Sequence, residues 1–211
     1  MKKVLVTCFN PFGGDEINPS EIIVHKLPTL IKGHLIIPFT LETAFYVSLE
    51  QLLDKVNDVK PDIVISVGLA GGREKITVER VAINLADARI PDNLGEEPID
   101  EPILENEPSA YFSTLPIKAM VKASNDKFIP AEISNTAGTF VCNFVMYGML
   151  HYVATVNPKI KAGFIHIPNL LTQTKTSFSM KEEDILEGLI SMIEAAILYE
   201  TDLKITGGRE H

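Results

Sequence analysis

The stretch ISNTAGTFVCNFVMYGM, residues 133–149, joins the end of a short predicted strand to a long apolar helix. The strand ends at Ser134, and the pair Ala137-Gly138 marks the break before the helix begins. Apolar residues then recur at helical spacing, which predicts one buried face made of Val141, Val145, Gly148, Met149 and Tyr152. A strand followed closely by a buried helix is the unit from which α/β folds are built.

The first turn of this predicted helix contains Cys142. A thiol there would lie near the positive end of the helix dipole, which favours the thiolate, the reactive form of cysteine. Free cysteines are also among the most buried residues of proteins, and most of them are inert. A candidate partner is His166, which lies near the end of the next apolar strand.

The strand-then-helix order recurs along the rest of the chain. Predicted strands cover residues 3–8, 34–39, 62–67, 76–85, 129–134 and 162–167. Other predicted helices cover residues 19–26, 43–56 and 116–123, and a last helix opens at residues 179–182. The run DIVISV, residues 62–67, is typical of a strand buried on both faces of a sheet. This alternation predicts a three-layer α/β/α sandwich with a mostly parallel central sheet.

Local signals add detail to this outline. The sequence NPSE, residues 18–21, predicts a helix start with an Asn cap, Pro at the first helical residue and a Glu that reaches back to the cap. The sequence SMKE, residues 179–182, predicts a second capping box. The alternation of residues 76–85 changes phase at Glu79-Arg80, which predicts a bulge or bend. We expect residues 86–109 to form a long loop and the polar segment from Thr201 to fray.

Composition limits the classes of protein that fit. The chain has 211 residues, of which 45% are hydrophobic, so we expect a single domain, residues 1–211, with a polar tail from about residue 201. The formal net charge of −9 argues against nucleic-acid binding, because no basic stripe could neutralise phosphates. No apolar run approaches the ~18 residues of a membrane span, and the N-terminus lacks the pattern of a signal peptide. Two cysteines without a secretory context predict free thiols and a cytoplasmic location.

Several chemically interesting residues follow predicted strand ends. They are Cys8, the loop GLAGGR at residues 68–73, the loop before Cys142, and His166. In open α/β sheets, ligands bind outside the carboxyl ends of the strands. The sequence therefore predicts a site at this edge of the sheet, without naming a reaction.

Five motifs resemble the pyroglutamyl-peptidase (pyrrolidone-carboxylate peptidase) family, whose members are cysteine enzymes that remove N-terminal pyroglutamate. The motifs are TCFNPFGG, GLAGGREKITVERVAINLADARIPDN, YFSTLPIKAM, SNTAGTFVCN and GFIHIP. The resemblance runs from Val4 to about Pro168 and weakens through the last helix. It implies the phosphorylase-like α/β fold of that family and hydrolysis after an N-terminal pyroglutamyl residue of peptides and proteins.

The resemblance also implies a catalytic Glu-Cys-His triad, which corresponds to Glu79, Cys142 and His166 in this sequence. The thiolate of Cys142 would attack the acyl carbon and form a thioester. His166, as imidazolium, would stabilise the thiolate and protonate the departing amine, while Glu79 would orient the imidazole. The backbone N–H of Cys142, at a helix N-terminus, would stabilise the oxyanion.

Pocket residues transfer by the same resemblance. Phe9 and Phe12 match an aromatic pair that packs on the lactam ring, and further wall residues are Thr43, Ile90, Phe140 and Val141. A neutral lactam suits an apolar pocket with a few polar backbone groups. Arg89 lies in a family motif, without a role that the sequence assigns. The resemblance further implies a homotetramer and pyroglutamylated peptides as substrates, with no metal or other cofactor.

Some residues depart from the family pattern. Where the family commonly reads H-x-P-x-x-P-E-Q, this chain has HIPNLLTQ, residues 166–173, so it lacks the second proline and the glutamate. That change affects the expected rigidity of the loop or a subunit contact. Leu69 replaces a glutamine found in many relatives, and Cys8 and Asn10 are unusual in the first motif.

Plainer interpretations compete for each of these residues. Glu79 could form a solvated ion pair with Arg80, and His166 could be a core histidine whose nitrogens are satisfied. Phe9 and Phe12 could be ordinary core residues. Cys8 is a rival nucleophile, although it lacks a helix N-terminus and is better explained as a packed thiol near the site.

Other functional classes fit the sequence less well. A nucleoside phosphorylase-like protein would bind phosphate at GLAGGR, but that loop is neither a P-loop nor a GxGxxG turn. A ligand-binding homologue without catalysis would show affinity but no turnover. A glutamine amidotransferase is disfavoured because Cys142 lies in TFVCN and not in a G-x-C-x-G elbow.

Overall fold

The computed structural model describes residues 1–173 and 178–208. The strands are β1 (Lys3–Phe9), β2 (Leu30–Ile31), β3 (His34–Leu41), β4 (Ile63–Leu69), β5 (Ile76–Glu79), β6 (Val81–Ile83), β7 (Ala110–Phe112), β8 (Ala131–Ser134), β9 (Lys161–Ile167), β10 (Asn169–Leu170) and β11 (Ser179–Met180). The helices are α1 (Pro19–His25), α2 (Phe45–Val59), α3 (Ile117–Asn125), α4 (Val141–Thr155) and α5 (Glu182–Leu198).

A seven-stranded sheet in the order β2-β3-β1-β4-β9-β5-β8 forms the centre of the molecule. The strands β3, β1, β4 and β9 run parallel to one another. The strand β5 runs antiparallel to β9 and parallel to β8, so this pair is reversed relative to the others. At the other edge, the short β2 is antiparallel to β3. The prediction of a mostly parallel central sheet is therefore confirmed.

Two apolar layers cover the faces of the sheet. One contains α1, α3 and α5, which pack on the side chains of Val4, Val6 and Cys8 from β1. The other contains α2 and α4, which pack on Leu5 and Phe9 from the same strand. Because consecutive side chains of a strand point to opposite faces, one strand supplies both cores. The predicted α/β/α sandwich is confirmed.

The predicted strand at residues 76–85 is divided in two at Arg80. Its first half is β5, which belongs to the central sheet, and its second half is β6, which pairs with β7 in a separate two-stranded sheet. The bend predicted at Glu79-Arg80 is confirmed, although the two halves lie in different sheets. Residues 86–109 form the expected long loop, in which the described backbone makes one isolated bridge, Ala86 to Glu101.

The helix starts follow the predictions only in part. Asn18 caps α1 as expected, since its Oδ1 accepts from the backbone N of Ser20 at 3.0 Å. Glu21 does not reach back to the cap, and its carboxylate instead accepts from Thr40 Oγ1 at 3.3 Å. The prediction of a capping box at residues 179–182 is wrong, because Ser179 and Met180 form β11 and pair with β10. The cap of α5 is Lys181, which makes no side-chain cap hydrogen bond.

The polar segment after α5 is docked on the molecule, so the prediction that it frays is wrong for the residues up to 208. The carboxylate of Asp202 accepts from the backbone N–H groups of Lys118 and Ala119 at 3.0 Å. These N–H groups belong to the first turn of α3, whose N-cap, Pro116, supplies no side-chain hydrogen bond. Further on, Arg80 donates to the carbonyl of Gly207 at 2.5 Å. The remaining predicted tail, residues 209–211, lies outside the described residues.

We expect Asp202→Ala to lower the free energy of unfolding by about 1–2 kcal/mol, because two N–H groups of the first turn of α3 lose their acceptor. For a chain of this size, each kcal/mol corresponds to about 2–4 °C in Tm. Thermal unfolding measures the change, and Thr201→Ala, at the exposed neighbouring residue, is the matched control. Equal Tm values for the two variants would contradict a capping role of Asp202.

Candidate active site

A cavity of about 720 Å³ opens where the loops after β4 and β9 meet the start of α4 and the long loop of residues 86–109. Its wall contains Cys142 and His166 together with Arg73, Leu69 and Asn169. The wall also contains Phe12, Arg89, Ile90 and Phe140. The cavity thus lies at the sheet edge that the sequence predicts.

Cys142 is the second residue of α4, so it lies in the first turn as predicted, and its sulfur lies against Gly68 of β4. A Cβ atom at residue 68 would come within 2.9 Å of Cys142 Sγ and also within 2.9 Å of the Phe164 ring. Real Cβ atoms do not make such close contacts, so residue 68 must be glycine for the thiol of Cys142 to fit beside β4. In the sheet, Gly68 is the register partner of His166, which brings the histidine's strand alongside this thiol.

His166 and Glu79 form a buried hydrogen-bonded pair. Nδ1 of His166 lies 2.7 Å from Oε1 of Glu79, and the side chains are 5% and 0% exposed. An ionised carboxylate can only accept, so Nδ1–H donates and Nε2 is the ring nitrogen left for a group in the cavity. The interpretation of His166 as a core histidine is incomplete, because the ring also lines the cavity.

Glu79 forms its ion pair with Arg73, not with its neighbour Arg80. Nη1 of Arg73 lies 2.5 Å from Oε1 of Glu79, whereas Arg80 donates to Asn135 Oδ1 at 2.8 Å and to Gly207. Burial by itself raises the pKa of Glu79. The hydrogen bond and charge of His166, together with the charge of Arg73, outweigh burial and lower the pKa of Glu79 below its usual value. The solvated ion pair with Arg80 is therefore the wrong interpretation.

The thiol of Cys142 is not activated by the helix N-terminus alone. Burial, together with the negative charge of Glu79, raises the pKa of Cys142 to about 12, and the charge of Arg73 opposes this only in part. A thiol in this setting forms a thiolate at neutral pH only if a nearby base takes the proton. His166, on the same cavity wall, is the residue that can do so.

Cys8 lies on the other face of the sheet from Phe9 and packs in the layer of α1, α3 and α5. Its sulfur contacts the Phe39 carbonyl at 3.6 Å and Thr40 Oγ1 at 3.5 Å, and the residue is 0% exposed. Burial raises the pKa of Cys8 to about 12. Thr40, which contacts this sulfur, also bonds to the ring of His25 at 2.8 Å, but Cys8 does not line the cavity.

Three of the six predicted pocket residues lie on the cavity wall. They are Phe12, Ile90 and Phe140, and the rings of Phe12 and Phe140 have centroids 6.1 Å apart. Phe9 lies behind the wall, 6.1 Å from the ring of Phe164, which in turn lies 4.7 Å from His166. Val141 is fully buried in the α2 and α4 layer, so Phe9 and Val141 support the wall without lining it.

Thr43 and Asn10 fasten the loop that carries Phe12. The hydroxyl of Thr43 donates to the carbonyl of Asn10 at 2.8 Å, and the Thr43 backbone N donates to Asn10 Oδ1 at 2.8 Å. Asn93 donates to the same Oδ1 at 3.2 Å and to the Pro11 carbonyl at 2.9 Å. These bonds tie the Phe12 loop to the loop of Ile90. Thr43 therefore contributes to the pocket by fixing the backbone at Asn10, and it does not line the cavity itself.

The sequence placed Arg73 in a loop at the predicted site without giving it a role, and it did not single out Asn169; both line the cavity. Asn169 donates to the carbonyl of Gly71 at 3.0 Å and so ties the loop after β9 to the loop after β4. The stretch that departs from the family pattern is fastened further by Leu171, whose backbone N donates to the Met180 carbonyl at 3.0 Å. Neither contact has a signal in the sequence, since each joins loops that are distant along the chain.

Residues 1–173 and 178–208 contain neither a cluster of metal-ligating side chains nor a membrane-spanning helix. Within these ranges, no group of three or more His, Cys, Asp or Glu side chains could hold a metal ion. Nor does this part of the chain contain a helix with the length and apolar character that crossing a membrane requires.

Comparisons with protein families and with individual proteins all match this chain to pyroglutamyl peptidases. A family model described as Pyroglutamyl peptidase matches residues 2–199. A pyrrolidone-carboxylate peptidase of Finegoldia magna is 52% identical, over 99% of this chain and 100% of that protein. A protein of the same name from Yersinia pestis is 48% identical over the full length of both chains.

Solved structures agree with these sequence matches. The crystal structure of pyroglutamyl peptidase I from Bacillus amyloliquefaciens superposes with a TM-score of 0.94 at 44% identity, covering 97% of this chain and 99% of that one. The pyrrolidone carboxyl peptidase from Thermococcus litoralis gives a TM-score of 0.94 at 39% identity, covering 98% and 100% of the two chains.

We expect His166→Ala to slow alkylation of Cys142 by iodoacetamide at pH 7 by ~10-fold or more, because one unit of pKa corresponds to tenfold in thiolate. The rate is followed by mass spectrometry of the peptide that contains Cys142. Cys8 is the internal control, since it is buried and should stay unmodified while either protein is folded. Equal rates at Cys142 in both proteins would show that His166 does not activate this thiol.

Proposed function

Because this chain belongs to the pyroglutamyl peptidase family of cysteine peptidases, we propose that it hydrolyses the bond after an N-terminal pyroglutamyl residue of peptides and proteins. In this proposal Cys142 is the nucleophile, His166 the general acid and base, and Glu79 the residue that orients the imidazole. The observation that carries the assignment is the buried 2.7 Å hydrogen bond between His166 and Glu79 beside a cavity that Cys142 also lines.

The first half of the reaction forms a thioester. The proton of Cys142 Sγ moves to Nε2 of His166, and the thiolate attacks the carbonyl carbon of the pyroglutamyl group. The backbone N–H of Cys142, at the start of α4, can donate to the oxygen that becomes negative. When the tetrahedral intermediate collapses, the C–N bond breaks and the imidazolium returns its proton to the departing amine.

The second half regenerates the enzyme. His166, now neutral, takes a proton from a water molecule, which attacks the thioester carbon. The C–S bond then breaks, pyroglutamate leaves, and the proton on the imidazolium returns to the sulfur of Cys142. No other co-reactant is needed, because the two halves together consume one water and release one amine and one acid.

Glu79 assists both halves of the reaction by stabilising the positive charge of the imidazolium. A buried carboxylate in direct contact with the ring stabilises the protonated form, and a medium of low dielectric strengthens that attraction. The same contact fixes Nδ1 as the nitrogen that faces Glu79 and so keeps Nε2 toward the cavity. Because the pKa of Cys142 is raised, little thiolate forms at neutral pH unless His166 takes the proton.

The apolar part of the cavity suits a neutral lactam ring. Phe12, Ile90 and Phe140 offer apolar surface, while Asp15 and Asp87, which also line the cavity, are exposed to solvent. Solvent screens exposed carboxylates, so they give little compensation for a buried ammonium group. We propose that Phe9, Thr43 and Val141 contribute by supporting this wall.

We also propose a cytoplasmic location and a homotetramer. Both cysteines are free thiols, which suits a reducing compartment. The homotetramer rests on the family resemblance alone. Fractionation of cells tests the location, and sedimentation of the purified protein tests the assembly.

We expect Cys142→Ala to abolish hydrolysis of a pyroglutamyl-linked chromogenic reporter while the protein stays folded, because the thioester cannot form. Cys8→Ala, the matched control, should keep most of the activity, since this thiol packs on the far side of the sheet. The measurement is kcat with circular dichroism of both variants. An inactive Cys8→Ala beside an active Cys142→Ala would reverse the assignment.

We expect the protein to cleave pyroglutamyl reporters at least ~10²-fold better, in kcat/KM, than prolyl or glutamyl reporters. A prolyl reporter carries an ammonium group that is costly to bury against Phe12 and Ile90, and it lacks the ring carbonyl. Phe12→Ala should lower turnover of the pyroglutamyl reporter through lost ring packing and a misplaced scissile bond. Similar kcat/KM values for the prolyl and pyroglutamyl reporters would contradict the proposed pocket.

A further inference from the structure

Arg73 contacts three residues in two segments of the site through the two ends of its guanidinium group. Nη1 donates to Oε1 of Glu79 at 2.5 Å and also to Thr77 Oγ1. Nη2 donates to the Thr136 carbonyl at 2.8 Å. The side chain is 26% exposed and lines the cavity, so it lies between the buried carboxylate and the space that a substrate would fill.

Arg73 and His166 bind the same oxygen of Glu79. Both contacts are to Oε1, and Oε2 is buried without a hydrogen-bond partner within the described residues. Ser134 is the register partner of Glu79 in the β5–β8 pair, and its hydroxyl also lowers the pKa of Glu79. The same hydroxyl donates to the Thr136 carbonyl at 3.0 Å, the carbonyl that Arg73 also holds. Two side chains beside Glu79, those of Arg73 and Ser134, therefore bond to the segment that leads into α4.

The Thr136 contact connects Arg73 with the nucleophile's helix. Thr136 lies in the loop between β8 and α4, and this loop carries Phe140 into the cavity wall before α4 begins at Val141. At its own end, the Arg73 loop is anchored by the bond from Asn169 to Gly71. A planar guanidinium can bond in two directions at once, which a lysine ammonium cannot do with the same geometry.

We propose that Arg73 is a positioning residue for the reaction: it holds Oε1 of Glu79 against Nδ1 of His166 and ties this pair to the loop that leads into α4. This inference rests on the proposed function, because Arg73 does not touch the reacting atoms and acts only through Glu79 and His166. The charged and titratable groups that face Glu79 are His166 from β9, Cys142 from α4 and Arg73 itself.

The test compares Arg73→Lys and Arg73→Gln with Lys75→Gln as the matched control. Lys75 lies two residues further along, just before β5, and its ammonium group pairs with Glu132 of β8 at 3.1 Å and not with Glu79. Each protein is assayed for kcat and KM on a pyroglutamyl reporter and for alkylation of Cys142 by iodoacetamide at pH 7. Protection of Cys8 from alkylation reports that each variant is folded.

We expect both Arg73 variants to lose about 10–100-fold in kcat with KM changed less than about threefold, because a misplaced imidazole slows the chemical step more than binding. Alkylation of Cys142 should slow by about tenfold in both, since His166 accepts the thiol proton less well. Lys75→Gln should match the wild type in both assays.

Arg73→Lys decides between geometry and charge, because it keeps the cation and loses the two-directional bonding. A kcat for Arg73→Lys within about threefold of wild type would overturn the positioning role, as would equal losses in Lys75→Gln. The alkylation assay needs no substrate, so it separates the two proposals. A wild-type protein without pyroglutamyl hydrolysis would contradict the proposed function, whereas unchanged Cys142 alkylation in Arg73→Lys would contradict this inference.

Discussion

The hydrogen bond between His166 and Glu79 is the interaction on which the rest of the site depends. A carboxylate that is fully buried would be strongly destabilising alone, and it persists only when charged or hydrogen-bonding partners surround it. His166 and Arg73 supply those partners, and together they keep the pKa of Glu79 low in spite of burial. Function and stability are thus coupled in this pair. The carboxylate of Glu79 that would orient the imidazole is also a buried charge, which His166 and Arg73 must compensate.

The reversed strand pair brings this carboxylate to the histidine. Glu79 ends β5, which runs antiparallel to β9, and His166 lies opposite Thr77, two residues before Glu79 in β5. The chain then bends at Arg80 and leaves the central sheet for β6, so Glu79 stays at the end of its strand. On the other side of β9, Gly68 of β4 leaves room for the sulfur of Cys142.

The two cysteines have the same side chain in two different surroundings, one on strand β1 and one on helix α4. Burial raises the pKa of both thiols to about 12. Cys8 faces the layer of α1, α3 and α5, where a hydroxyl and a carbonyl are its polar neighbours. Cys142 lies on the cavity wall with His166. In the proposed mechanism, the difference between an inert and a reactive thiol is therefore a neighbouring base and access to a ligand, and not the intrinsic acidity of the sulfur.

Patterns in the sequence predict most of the long elements and the candidate residues of the site. Apolar periodicity marked the main strands and helices within a few residues of their observed bounds, because such patterns depend only on which faces are buried. Family motifs pointed to Glu79, Cys142 and His166 before any geometry was known. Tertiary structure alone decided the reversal of β5 and β8, the docking of Asp202 on α3, and the ion pair of Glu79 with Arg73 instead of Arg80. Each of these is a contact whose partner is chosen by the path of the chain in space, which local sequence does not encode.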